Sequence, residues 1–185
     1  MKVTQYSGLM MLGELEEGKK IIDCGCGTGE WLQFLKRYLK PTLLVGIDQN
    51  YLKVGHATHY HSTLVLGQIQ RLPFENSAFD YFFCVETLEH IDSYLNQSIT
   101  KEIFRVLVPG GRLLISVPGN KTYCLSGSDH RQFWSRKKLN RAFFGFGFTG
   151  LFTHRKNAVY VKYREVPTKC PYNYSNLMMF EKRVN

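Results

Sequence analysis

The run Ile21-Ile22-Asp23-Cys24-Gly25-Cys26-Gly27-Thr28-Gly29 carries three alternating glycines behind a short apolar stretch. Glycines in such a place permit positive φ and let a ligand lie against bare backbone. The helix expected beyond them presents unpaired N–H groups. A dinucleotide fingerprint would need its third glycine at position 30, where Glu30 would repel a pyrophosphate. The spacing is instead GxGxG, with Asp23 two residues ahead of Gly25. A carboxylate there suits a ligand bearing an ammonium group. Asp48 stands about twenty residues after the glycines, where a carboxylate can accept both hydroxyls of a ribose. Gln68 ends a third apolar run, positioned for an adenine edge, and Val85 ends a fourth.

A second constellation lies just past Val85. If Glu86, Glu89 and His90 share a helical turn, they stand at i, i+3 and i+4 on one face. His130 comes after a fifth apolar run and belongs to the same edge. Either histidine suits the role of base for a hydroxyl substrate. Two carboxylates and two imidazoles also suit a divalent cation. Cys24 and Cys26 read as small residues of the glycine loop. His56, His59 and His61 read as a solvated turn, because their spacing suits no standard metal site.

These residues need strand ends to hold them. Lys20–Asp23, Leu43–Asp48, Thr63–Gly67, Phe79–Val85 and Arg112–Val117 read as strands. Glu30–Leu39 reads as a helix with Trp31, Phe34, Leu35 and Tyr38 on its apolar face, stopped by Pro41. Tyr51–Ala57 suits a short helix. Tyr94–Leu107 suits a longer one, with Leu95, Ile99, Ile103, Val106 and Leu107 on one side and Pro109-Gly110-Gly111 behind it. Asn120–Asp129 reads as a loop and Ser135 to about Phe144 as a helix. Phe148–Arg155, Ala158–Tyr163 and Asn176–Lys182 read as strands with no helix between them, the last two joined by a long connection. The expected fold is α/β: a Rossmann-like, mostly parallel sheet with a C-terminal antiparallel hairpin and helices on both faces. Phe143, Phe144, Phe146 and Phe148 are expected in the core. Tyr160, Tyr163, Tyr172 and Tyr174 suit a substrate pocket or stacking on bases, and equally an exposed hairpin surface or dimer contact.

Taken together, the motifs resemble class I S-adenosylmethionine-dependent methyltransferases of the small-molecule, quinone-type kind. DCGCGTG is similar to the family's first motif and VGIDQN to its second-strand motif. GQIQRLPFENSAFDYFFCVETLEHI is similar to its third and fourth motifs, and PGGRLLISVPGN to its fifth-strand segment. DHRQFWSRKKLNRAFFGFGF is similar to the segment after the fifth strand in small-molecule members. The resemblance covers most of Lys20 to Phe148. It implies that Asp23, Gly25, Cys26 and Gly27 hold the methionine part of S-adenosylmethionine and of its product S-adenosylhomocysteine. It implies Asp48 and Gln49 at the ribose, Gln68 and Ile69 at the adenine, and Val85 on the sulfonium side. His90 and His130 are the candidate catalytic residues. Glu86, Glu89, His90 and His130 also resemble residues that hold magnesium or manganese in some O-methyltransferases, and a metal is the lesser expectation. Two departures stand out: Gln68 replaces the Asp of many relatives, and only about twenty residues precede the first motif, where longer helical caps are common.

The expected activity is methyl transfer to a small-molecule acceptor at oxygen. No [DN]PP[YF] or Pro-Cys stands in the fourth-strand motif, against nucleobase amino or cytosine C5 methylation. The alternatives are an RNA methyltransferase of the 2′-hydroxyl type and a non-catalytic S-adenosylmethionine-binding partner protein. With Lys plus Arg at 24 against Asp plus Glu at 15, the net charge of +9 favours an anionic partner and keeps RNA open. The 185 residues suit one methyltransferase domain over 1–185, with 1–19 a short helix or cap. Five cysteines without a CxxC pair suit neither a disulfide framework nor a zinc ribbon, and no signal peptide or membrane span is visible, so a cytoplasmic protein is expected.

Overall fold

The computed structural model describes residues 15–50, 52, 63–118, 129–155, 158–161, 164–167 and 175–184, with the backbone alone across 151–177. The expected cap over 1–19, the helix at Tyr51–Ala57, the loop before Asp129 and the side chains of the four C-terminal tyrosines therefore lie largely outside it. So do His56, His59 and His61.

Five strands run parallel: β1 (Lys20–Cys24), β2 (Leu43–Asp48), β3 (Thr63–Leu66), β4 (Phe79–Val85) and β5 (Leu107–Pro118). β6 (Phe148–Arg155), β7 (Ala158–Val161), β8 (Arg164–Pro167) and β9 (Ser175–Lys182) complete one sheet in the order β3-β2-β1-β4-β5-β9-β6-β7-β8. From β1 the chain first builds outward through β2 and β3, then crosses back to β4 and β5. The order therefore reverses between β1 and β4, and a crevice opens at their carboxyl ends, where open α/β sheets take ligands.

β6 and β7 pair antiparallel as the expected C-terminal hairpin, and β9 adds a further antiparallel strand. It inserts antiparallel between β5 and β6. The cause is in its side chains: Met178 and Phe180 are buried on one face of the sheet and Met179 on the other. A strand apolar on both faces belongs in the interior of a sheet. The long connection expected after β7 also holds a strand, β8, paired with β7.

Helix α1 (Glu30–Leu39) covers one face; α2 (Asn96–Val106) and α3 (Arg136–Phe144) cover the other. The buried residues of α1 are Leu32, Phe34, Leu35 and Leu39. Tyr38, expected on this stripe, turns outward, while Trp31 packs edge-on to Phe34 at 4.7 Å. Docking depends on Gly46 in mid-β2, where a Cβ would stand 2.6 Å from Leu32 Cδ1. The expected helix from Tyr94 begins as a 3₁₀ turn over Ser93–Leu95 and becomes α-helical at Asn96. It ends at Val106, because Leu107 pairs with Phe79. Pro109-Gly110-Gly111 lies in the register shift before Arg112, so β5 starts earlier than its apolar run. Lys182 Nζ donates to the Phe104 and Leu107 carbonyls at 2.9 and 2.8 Å, satisfying backbone groups at the end of α2.

Phe143, Phe148 and Phe180 form an aromatic knot under α3, with centroids 5.2–6.4 Å apart. Phe144 is half exposed at the rim and Phe146 is partly buried. Truncating Phe180, which is fully buried on an interior strand, leaves a cavity that this interlocked group cannot close. Phe180→Ala should lower unfolding free energy by about 3–5 kcal/mol in urea titrations. A loss within the roughly 0.5 kcal/mol of surface substitutions would contradict this packing.

Candidate active site

The carboxyl ends of β1 and β2 are tied by one carbonyl. Ile47 O accepts the N–H groups of Gly25 at 2.7 Å and Cys26 at 3.1 Å. Asp48 then continues the link: its Oδ2 accepts from Gly27 N at 2.9 Å and its Oδ1 from Asn50 N at 2.8 Å. Gly25, Gly27 and Gly29 take φ of 77°, 54° and 86°, so the turn needs residues at ease in the left-handed region. Gly25 has a further constraint. A Cβ there would stand 2.2 Å from Thr87 Oγ1, which hydrogen-bonds the Val85 and Cys24 carbonyls. The space at Gly27 is open.

An open cavity of about 250 Å³ lies over this edge. Cys24, Gly25, Asp48 and Gln49 line one side, Gly67, Gln68 and Ile69 the next, and Glu86, Thr87, His90 and Asp129 the far wall. Asp23, Cys26, Gly27 and Val85 are chain neighbours of these residues and are not part of the lining. Asp23 is buried, and its Oδ2 has no hydrogen-bond partner among the described residues. Burial, with the Asp48 charge next, pushes its carboxyl up to about 7. A positive group bound beside this carboxyl would lower that value and favour the ionised form. With the bare backbone at Gly25 and Gly27 and the Asp48 carboxylate, these residues fit a nucleoside carrying an amino acid.

The far wall differs from the helical-turn expectation. Glu86 adopts φ 48°, and its Oε1 accepts a short hydrogen bond from Ser116 Oγ. Only Leu88–His90 forms a 3₁₀ turn. Glu86 therefore leaves the cluster, and among the described residues Glu89, His90 and His130 alone bring ligand atoms within 4.8 Å of one another. Segment 131–134 is responsible. Arg131 N and Gln132 N donate to Glu89 O, and Gln132 Nε2 and Trp134 Nε1 donate to Leu88 O. His130 thereby meets His90 edge-on, with centroids 4.7 Å apart. His90 Nδ1 lies 3.2 Å from Asp129 Oδ2. Both Glu89 oxygens are buried without a hydrogen-bond partner among the described residues. Burial, then the Glu86 charge, hold this carboxyl well above the ordinary range. His90 lines the cavity; Glu89 and His130 do not.

Sequence reasoning missed Thr87 and Asp129. Asp129 stands beside His130 in the quoted DHRQFW run, so adjacency was a usable signal. No sequence signal marked Thr87. Cys24, Cys26 and Cys84 are buried free thiols, with burial raising each of them.

A family described as a methyltransferase domain matches residues 22–115. The demethylmenaquinone methyltransferase of Staphylococcus aureus strain JH9 is 38% identical over 106 residues, 54% of this chain and 43% of that protein. The chain thus spans less than half the length of the curated relatives it matches. Among solved structures, a S-adenosylmethionine-dependent methyltransferase of Methanosarcina mazei superposes with TM-score 0.74 at 18% identity, over 95% of this chain and 98% of that one. A chain from the complex of the Haloferax volcanii Trm112 methyltransferase activator with a methyltransferase superposes with TM-score 0.77 at 18% identity, covering 97% and 90%. At such identities these structures speak for the fold.

Gly25→Ala should abolish S-adenosylhomocysteine binding in calorimetry, since strain and collision with Thr87 act together. Gly27→Ala, which is strained but meets open space, should weaken binding less; the reverse order would refute the loop's description. Asp23 carries a pH signature. Between its ordinary value of 3.8 and about 7 the folded carboxyl keeps a proton that the unfolded one has lost. Stability should therefore fall as pH rises through that window and level off above it. S-adenosylhomocysteine affinity is expected to rise over the same window if the Asp23 carboxylate, which forms there, is what receives the ammonium group. Asp23→Asn should remove both slopes, measured by urea midpoints and calorimetry.

Proposed function

The chain belongs to the class I S-adenosylmethionine-dependent methyltransferases, and from that premise we propose that it methylates a small-molecule acceptor at a hydroxyl oxygen. S-adenosylmethionine, when bound, supplies a methyl group already activated by a sulfonium. Asp23 would hold the ammonium end beside Gly25, Cys26 and Gly27. Asp48, with Gln49, would take the ribose hydroxyls through lone pairs left free by Gly27 N and Asn50 N. Gln68 and Ile69 would flank the adenine, and Val85 would back the sulfonium side. What remains for the protein is alignment, exclusion of water and removal of a proton from the acceptor.

The observation that carries this reading is the His90–Asp129 pair on the cavity wall. Asp129, in charge contact with Nδ1, would orient the imidazole and leave Nε2 as the base for the acceptor hydroxyl. His130, edge-on to His90, limits the ring's rotation. A small acceptor is favoured over RNA because the described cavity lining includes Asp48, Glu86 and Asp129 but neither Lys nor Arg. RNA would be met by basic residues. The similarity to a demethylmenaquinone methyltransferase supports a phenolic or quinol acceptor. The free thiols support a reducing, cytoplasmic setting. No described helix is long and apolar enough to cross a membrane. We read 1–185 as one methyltransferase domain.

A second reading adds a divalent cation at Glu89, His90 and His130. It is favoured by one observation, the buried and unpartnered Glu89 carboxyl. A cation there would keep Glu89 ionised and lower the acceptor's hydroxyl pKa in place of a base.

The test is methyl transfer from labelled S-adenosylmethionine to a panel of phenols and quinols, with and without chelator. Activity should survive chelation. His90→Ala should lower turnover roughly 10²–10⁴-fold with S-adenosylhomocysteine affinity kept. Activity lost to chelator and regained with manganese would favour the cation instead. Full turnover in His90→Ala would remove the base.

A further inference from the structure

We propose that Glu102 and Arg105 of α2, outside the cavity, are positioning residues that set the adenine wall of the cofactor site. The inference rests on the reading of Gln68 and Ile69 as that wall. The connection from β3 to β4 is long for a compact domain and has no helix or strand of its own. Gln68 and Ile69 line the cavity at its start. Local bonds hold them only in part: Arg71 N donates to Gln68 O at 3.1 Å, and Gln70 Nε2 donates to Gln68 Oε1 at 2.9 Å.

Ile69 is also buried in the core, and further anchorage comes from α2. Arg105 uses all three guanidinium nitrogens in five hydrogen bonds. Nε and Nη2 donate to the two Glu102 oxygens at 2.7 and 2.8 Å. Nη2 also donates to Leu72 O at 3.0 Å, and Nη1 donates to Phe74 O at 2.6 Å and Asn76 Oδ1 at 3.1 Å. Glu102 Oε2 in turn accepts from Leu72 N at 2.8 Å, and Arg105 O accepts from Ser77 N at 2.9 Å. Each partner holds the other's charge: the Arg105 hydrogen bond lowers the Glu102 carboxyl's pKa, and that of Glu102 raises the guanidinium's.

A guanidinium has five N–H donors in a rigid fork, and here five acceptors meet them. Leu72, between the clamp and the wall, is buried in the core beneath. The arrangement fixes the backbone at Leu72, three residues past Ile69. The cofactor wall thus inherits the position of α2, which is itself packed on the core through Ile99, Ile103 and Val106. A lysine at 105 carries three donors at one point and cannot reach the same set.

The test uses the full chain, with S-adenosylhomocysteine and 5′-methylthioadenosine, which keeps the adenosine half, as probes in calorimetry. Arg105→Lys and Glu102→Gln should weaken both by about tenfold, and amide exchange at Leu72 should quicken locally. The control is Lys182→Met, which removes bonds to the Phe104 and Leu107 carbonyls at the same end of α2, none of them to the β3–β4 connection, and should lower Tm while leaving both affinities alone. Equal affinity losses in the control would reduce the pair to general stability and overturn the proposal. Ile69→Ala separates the two levels. If it weakens binding while the Arg105 and Glu102 variants bind normally, the clamp falls alone. If none of the three changes affinity, the placement of the adenine falls, and the clamp's role falls with it.

Discussion

The Ile47 carbonyl and the Asp48 carboxylate together hold the turn after β1, and most of the site depends on that pair of acceptors. A left-handed turn rich in glycine is entropically costly to order. Here three of its N–H groups are taken by two consecutive residues of the neighbouring strand. The parallel register of β1 with β2 brings Cys24 opposite Ile47, so those acceptors arrive where the turn begins. On the other flank β4 brings Thr87 beneath Gly25, close enough to exclude any side chain. The reversal of strand order between β1 and β4 is thereby converted into a shaped cradle.

Two carboxyls are buried on this edge, and both are pushed toward the neutral form. Burying a charge without a partner is expensive, so a fold keeps such groups where a ligand or a proton compensates. Asp23 sits behind the glycine turn and Glu89 behind His90. They mark the two ends of the chemistry proposed for the cavity: recognition of an ammonium group, and management of charge near the acceptor. Asp129 is mostly exposed, with a carboxylate oxygen 3.2 Å from His90 Nδ1.

The core explains why this edge is rigid. Strands β1, β4 and β5 are buried on both faces, and β9 extends that condition through Met178, Met179 and Phe180. The lack of a side chain at Gly46 lets α1 come down onto β2 beside Cys26, directly beneath the glycine turn. On the opposite face α2 and α3 share one apolar cluster, and α2 reaches the β3–β4 connection through Arg105. Each wall of the cavity is thus continuous with a packed element.

Much of this was legible in the residues themselves. The strand ends at Asp48 and Val85, the turn at Gly25–Gly29 and the cap of α3 by Ser135, whose Oγ accepts from Lys138 N, obey local rules of period, turn and capping. Such rules act between residues a few positions apart, where spacing alone fixes geometry. Glycine content in the turn and alternation of strand with helix therefore determined the Rossmann-like sheet and the ligand edge. Other features were decided by contacts between distant segments, which spacing could not settle. Glu86 left its expected helical face because Ser116, on the strand alongside, captured its carboxyl. His130 met His90 because segment 131–134 bonds the backbone of Leu88 and Glu89. β9 entered the sheet interior rather than its rim because only there are both of its apolar faces covered. In each case the partner is brought by a crossover of the chain, and hydrogen bonding and burial across that crossover outweigh the weak preference of a short local turn.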